Sequence, residues 1–151
     1  MVSSDIILLV EDNPDDIVLT KRALKKSNIL NEVVVAEDGI DALSYLRKEG
    51  EYRDNEDEYP IVILLDLNMP RMSGMEFLKE LRNDCRFKRL PVVILSSSRE
   101  DRDVCDCYNL GANSYIQKPV DFEQFVKAIQ TLGLYWLVLN IRPKEGNRSE
   151  N

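Results

Sequence analysis

Five times over, the chain sets a short apolar run before a longer segment with helical spacing, and few folds accept that rhythm. The runs are Ile6 to Val10, Glu32 to Ala36, Ile61 to Leu65, Val92 to Leu95 and Ser114 to Gln117. The first, third and fourth are apolar without a break, the pattern of strands covered on both faces. Helical segments follow near 14–27, 39–49, 74–83 and 99–110, with a last one from about 121 to 139. Pro14 suits a first helical turn, Gly111 a helix end and Asp121 an N-cap. Strand then helix, repeated, predicts an α/β fold with right-handed crossovers. The expected architecture is a doubly wound, five-stranded parallel sheet of order 2-1-3-4-5 in a three-layer sandwich.

At 151 residues and 44% hydrophobic content the chain can bury a proper core as a single domain. A net charge of −7 speaks against a basic face for nucleic acid or an anionic membrane. No apolar run approaches the roughly 20 residues that span a bilayer. The start, MVSSDIILLV, lacks the basic region of a signal peptide, so a cytoplasmic protein is expected. Three cysteines and no histidine exclude Ser-His-Asp, Cys-His and histidine-metal chemistry, and the cysteines read as reduced packing thiols. The segment EGEYRDNEDEY (49–59) reads as a solvated acidic surface loop. The domain is expected over 1–141, with a polar, disordered tail over 142–151. The roughly 20 residues after Leu132 are too few for a DNA-binding output fold.

Two strand candidates run into acids. IILLVEDN ends on Glu11 and Asp12, and IVILLDLNMP ends on Asp66. In the expected sheet strands 1 and 3 are neighbours, and ligands bind at their carboxyl ends where the winding reverses. Three carboxylates gathered there repel one another, and a hard divalent cation relieves the conflict; oxygen-only ligands favour magnesium, with manganese as a substitute. The fourth strand ends in Ser96, Ser97 and Ser98, and the fifth leads to Lys118 and Pro119. Acids, a hydroxyl and an ammonium around a cation suit a phosphoryl group, with Asp66, central among them, as the nucleophile. Singly each residue is ordinary turn or cap chemistry. Four strand ends carrying the right groups in the right order is not.

These pieces, LLVEDN, LLDLNMPRMSG, VILSSS and GANSYIQKP, resemble the response-regulator receiver domain of two-component signalling, over about residues 5 to 132. The resemblance implies a flavodoxin-like fold and a single-domain regulator that is not an enzyme in the ordinary sense. It is a phosphoacceptor with slow self-phosphorylation and autodephosphorylation, relaying its signal by a conformational switch, phosphotransfer or protein contact. Asp66 is the implied acceptor. Asp12 and Asp66 would hold Mg2+ by side chains, Asn68 by its backbone carbonyl and Glu11 through water. Lys118 would contact the acyl phosphate, Ser96 would bond it and move on activation, and Tyr115 holds the switch-aromatic position. The Lys118–Pro119 bond stands where the family often has a cis peptide. The implied partners are a sensor histidine kinase and a downstream phosphotransfer protein. The long loop after helix 2 and the aromatic last helix are similar to regulators of cyanobacterial phytochrome-type kinases.

A haloacid-dehalogenase phosphatase also uses a strand-end Asp, but needs a second acid two residues on, where Asn68 stands. An inert acidic scaffold would not need the serine and lysine. Helix 5 carries Phe122, Phe125, Val126, Ile129, Leu132 and Trp136 as a stripe, and then turns apolar all round from Leu134 to Leu139. One sheet cannot cover every side of a helix, so a homodimer is expected, and the receiver resemblance implies pairing through helix 4, strand 5 and helix 5.

Overall fold

The computed structural model describes residues 5–96, 101–117 and 122–133, except the side chains of 101–103, 117, 132 and 133. Expectations for Ser97, Ser98, Lys118, Pro119, Asp121, the 134–139 stretch and the 142–151 tail lie outside these residues. The five strands are β1 (Ile7–Val10), β2 (Val33–Ala36), β3 (Val62–Asp66), β4 (Val92–Ser96) and β5 (Ser114–Gln117). The helices are α1 (Pro14–Lys26), α2 (Gly39–Arg47), α3 (Gly74–Asn83), α4 (Asp101–Asn109) and α5 (Phe122–Gly133). All neighbouring strands pair in parallel, in the order β2-β1-β3-β4-β5, as the repeating pattern predicts.

Alternation along each strand decides which layer each side chain enters. Leu8, Val10, Ile63, Leu65 and Ile94 join the core under α2 and α3, with Phe77, Leu78, Leu81 and Phe87. Ile7, Leu9, Leu64, Val93 and Leu95 join the opposite core under α1 and α5, with Leu24, Phe125, Val126 and Ile129. The helix ends follow local chemistry. Asn13 accepts from the backbone N–H groups of Asp15 and Asp16 to cap α1, which starts at Pro14. Ser73 and Glu76 form a reciprocal capping box on α3. Gly111 follows α4 with φ +93, a conformation that costs glycine nothing.

The cysteine reading holds in part: Cys107 packs in the core, while Cys85 and Cys105 are exposed. The acidic loop is more built than a solvated loop. It contains a 3-10 turn at Gly50–Tyr52, and Tyr52 and Tyr59 pack against the α2–α3 core. The Tyr45 hydroxyl donates to Asp57 at 2.8 Å and the Tyr52 hydroxyl to Asp41 at 2.9 Å, with the two rings edge to face. Burial, helped by its bond to Asp41, pushes the Tyr52 phenol up to about 12, and burial with the Asp57 bond pushes Tyr45 higher still.

Arg82, at the end of α3, is the main tie at the bottom of the sheet. It donates to the carbonyls of Gly111 (2.8 and 3.1 Å), Phe87 (3.2 Å) and Lys88 (3.1 Å). Its contact Asn113 accepts the Val92 N–H through the same side-chain oxygen, linking the start of β4 to the turn before β5. Arg82→Ala leaves three carbonyls without this donor and is expected to lower unfolding free energy by about 2–4 kcal/mol. Urea unfolding measures it; a loss below about 0.5 kcal/mol would contradict the role.

Candidate functional site

The sheet order carries the site. In the β1–β3 register Val10 lies opposite Leu65, so Glu11 and Asp66 emerge side by side one step further on. One carboxylate oxygen from each of Glu11, Asp12 and Asp66 lies within 4.8 Å of the others. Glu11 is 1% and Asp66 5% exposed, and Asp12 faces solvent. At about 5 Å and an effective dielectric near 20, each pair of such charges repels by about 3 kcal/mol. Three acids this close, two of them buried, repel one another, and an all-oxygen cluster suits a hard divalent ion.

The backbone holds these acids rigidly. The Glu11 N–H donates to the Ala36 carbonyl at 2.9 Å, and the Asn13 N–H donates to the Glu11 carboxylate at 3.3 Å. Beyond Asp66 the chain folds into a closed loop, in which the Gly74 N–H donates to the Leu67 carbonyl at 2.9 Å. A Cβ on Gly74 would strike the carbonyl oxygen of Asp66, so only glycine lets α3 start against the acid's own backbone. Asn68 lies exposed in this loop, two residues past the acid.

Ser96 ends β4 fully buried, and because Asp66 lies opposite Leu95 it stands one step beyond the acid on the adjacent strand. Tyr115 is half-buried on β5, opposite Ile94, and packs against the α2–α3 core. The structure thus brings together Glu11, Asp12 and Asp66, and puts Ser96 at the same end of the sheet. Lys118 lies outside the described residues.

One acid at this rim was not anticipated. Asp38, just past the end of β2, is 5% exposed and takes both the Nε and an Nη of Arg71 at 2.6 Å. Its other oxygen accepts the Asp41 N–H at 2.9 Å and caps α2. The signal was present: strand 2 also ends on an acid, in AEDG, and strand 2 neighbours strand 1.

A switch-point cluster of acids on a 2-1-3-4-5 parallel sheet defines a signalling receiver. The model of the response regulator receiver domain matches residues 7–130, and the chain belongs to that family. It is 38% identical over 132 residues to response regulator Rcp1 of Synechocystis sp., covering 87% of this chain and 88% of that one. The Mn2+-bound crystal structure of Rcp1 superposes with a TM-score of 0.83 at 36% identity, over 93% of this chain and 99% of the other. The phosphorylated cyanobacterial phytochrome response regulator RcpA gives a TM-score of 0.85 at 40% identity, over 94% and 100% of the two chains. The bacteriophytochrome response regulator RtBRR gives 0.77 at 48% identity, over 96% and 86%. Receivers of this family are signalling proteins of two-component systems. No described helix is long and apolar enough to cross a membrane.

The geometry predicts that the metal-free site stores repulsion. Asp12→Asn, which removes the exposed charge, is expected to raise the melting temperature in EDTA by a few degrees, about 1 kcal/mol at this size. Mg2+ is expected to raise the melting temperature of wild type more than that of the variant. Equal melting in EDTA would show that the three charges do not oppose folding.

Proposed function

We propose that this receiver accepts a phosphoryl group on Asp66 from the phosphohistidine of a partner kinase. The observation that carries the reading is the meeting of Glu11, Asp12 and Asp66 at adjacent strand ends, with Asp66 alone arriving from β3. The Asp66 carboxylate oxygen attacks phosphorus in line; the P–N bond to the donor histidine breaks as the P–O bond forms, and the histidine leaves neutral after protonation. The residues present fit a divalent cation. Asp12 and Asp66 would hold it by side chains, Asn68 by its backbone carbonyl and Glu11 through water, and Mg2+ with Mn2+ as substitute is supported by the all-oxygen donors and the Mn2+-bound relative. Bound there, the cation supplies charge neutralisation for the phosphoryl oxygens.

Lys118, next in sequence after β5, contacts the acyl phosphate, and the Ser96 hydroxyl donates to it. Ser96 and Tyr115 then rearrange and bias the α4–β5–α5 surface between two populations. The only chemistry of the chain itself is slow self-phosphorylation and autodephosphorylation. Similarity to RcpA and RtBRR supports a phytochrome-type histidine kinase as partner in the cytoplasm. The signal leaves through a downstream phosphotransfer protein or a partner that reads the switched face. A homodimer on that face rests on the apolar 134–139 stretch of the sequence.

Incubation with a small-molecule phosphodonor and Mg2+, followed by intact mass, is expected to add one phosphoryl group to wild type and none to Asp66→Asn. Stoichiometric incorporation in Asp66→Asn would refute the assignment. Sedimentation equilibrium on the same samples reads the dimer; a strict monomer in both states removes that part.

A further inference from the structure

Three described non-glycine residues have positive φ: Asn28, Lys48 and Arg71. Asn28 and Lys48 sit at the ends of α1 and α2, where a left-handed residue commonly stops a helix. Arg71 stops no helix. It lies mid-loop between β3 and α3 at φ +63, inside a tight turn in which the Met72 N–H donates to the Pro70 carbonyl at 2.7 Å. A left-handed arginine costs about 1–2 kcal/mol and persists only where its surroundings hold it.

What holds Arg71 is Asp38. The Arg71 side chain is 59% exposed, whereas the Asp38 side chain is 7% exposed, so a surface cation pairs with a buried acid. Below the pair the two turns interlock, because a Cβ on Gly39 would strike the Met72 side chain. The sheet order gives this contact its meaning. Asp38 follows β2 and Arg71 follows β3, and β1 lies between those strands. The ion pair therefore joins the two turns that flank the end of β1, where Glu11 and Asp12 emerge. The loop it holds is also the one that carries Asn68.

We propose that the Asp38–Arg71 ion pair positions the β3–α3 loop beside the acid cluster and so sets the cation affinity of the site. The proposal rests on the reading of that cluster as a cation-dependent phosphoacceptor site. Asp38 and Arg71 are positioning residues, acting through the loop. Geometry and bare charge predict opposite signs for one of them. If charge alone mattered, removing the Arg71 cation would strengthen Mg2+ binding; if position matters, removing it weakens binding.

The test is Mg2+ titration by calorimetry on wild type, Asp38→Asn, Arg71→Ala, the double variant, Arg71→Lys and Asp12→Ala. Asn at 38 keeps an oxygen for the Asp41 N–H and replaces the oxygen that accepts from Arg71 with an amide NH2, and truncating the exposed Arg71 opens no core cavity. Each single variant is expected to raise the Mg2+ dissociation constant about 3–10-fold, at or below the usual effect of removing an outer partner of a metal site. The double variant loses no more than either single one, Arg71→Lys recovers part, and phosphorylation at saturating Mg2+ returns toward wild type. Tighter binding by Arg71→Ala, additive losses in the double variant, or unchanged affinity in both single variants beside a weakened Asp12→Ala each overturns the proposal and leaves the site reading intact. Unchanged affinity in Asp12→Ala as well brings both down.

Discussion

Like-charge repulsion among Glu11, Asp12 and Asp66 is the constraint around which the rest of the molecule is arranged. Parallel strands place all their carboxyl ends on one edge, and the 2-1-3-4-5 order makes β1 and β3 neighbours there. Acids placed at those two ends must meet, and the fold cannot relax them apart without breaking the central strand pair. The buried rows Ile7–Val10 and Val62–Asp66 secure that pairing from both faces. The hydrophobic core thus does more than stabilise. It forces together charges that would separate in solution, and an all-oxygen cluster of this kind suits a divalent cation.

Much of this was legible from residue pattern alone. Continuous apolar runs marked the buried strands, Pro14 and Gly111 marked helix ends, and strand-end acids separated by helices pointed to one pocket, because topology rather than sequence distance decides what meets. Less legible were contacts whose partners carry no pattern. Arg82 reads as an ordinary helix-end arginine, yet it gathers the carbonyls of Phe87 and Gly111 from two separate turns. Arg71 gave no sign of a left-handed backbone, since arginine has no preference for it. The acidic segment 49–59 looked solvated by composition, but its tyrosines, and Tyr45 beneath it, find carboxylates and the core. Aromatic side chains within a charged run were the cue.

Those contacts also form a connected path. Arg71 holds Asp38, Asp38 caps α2 at Asp41, Asp41 accepts from Tyr52, and Tyr52 sits edge to face with Tyr45, which bonds Asp57. Side-chain contacts therefore run without a break from the rim of the acid cluster to the acidic loop on the α2 side.

The central claim is that the three carboxylates form one cation site at the β1–β3 junction. Crystals grown with Mn2+ and measured for anomalous scattering test it most directly. The account predicts a single strong peak among the carboxylate oxygens of Asp12 and Asp66 and the main-chain carbonyl of Asn68. A cluster with no peak, in crystals where Mn2+ binds elsewhere on the molecule, would contradict it.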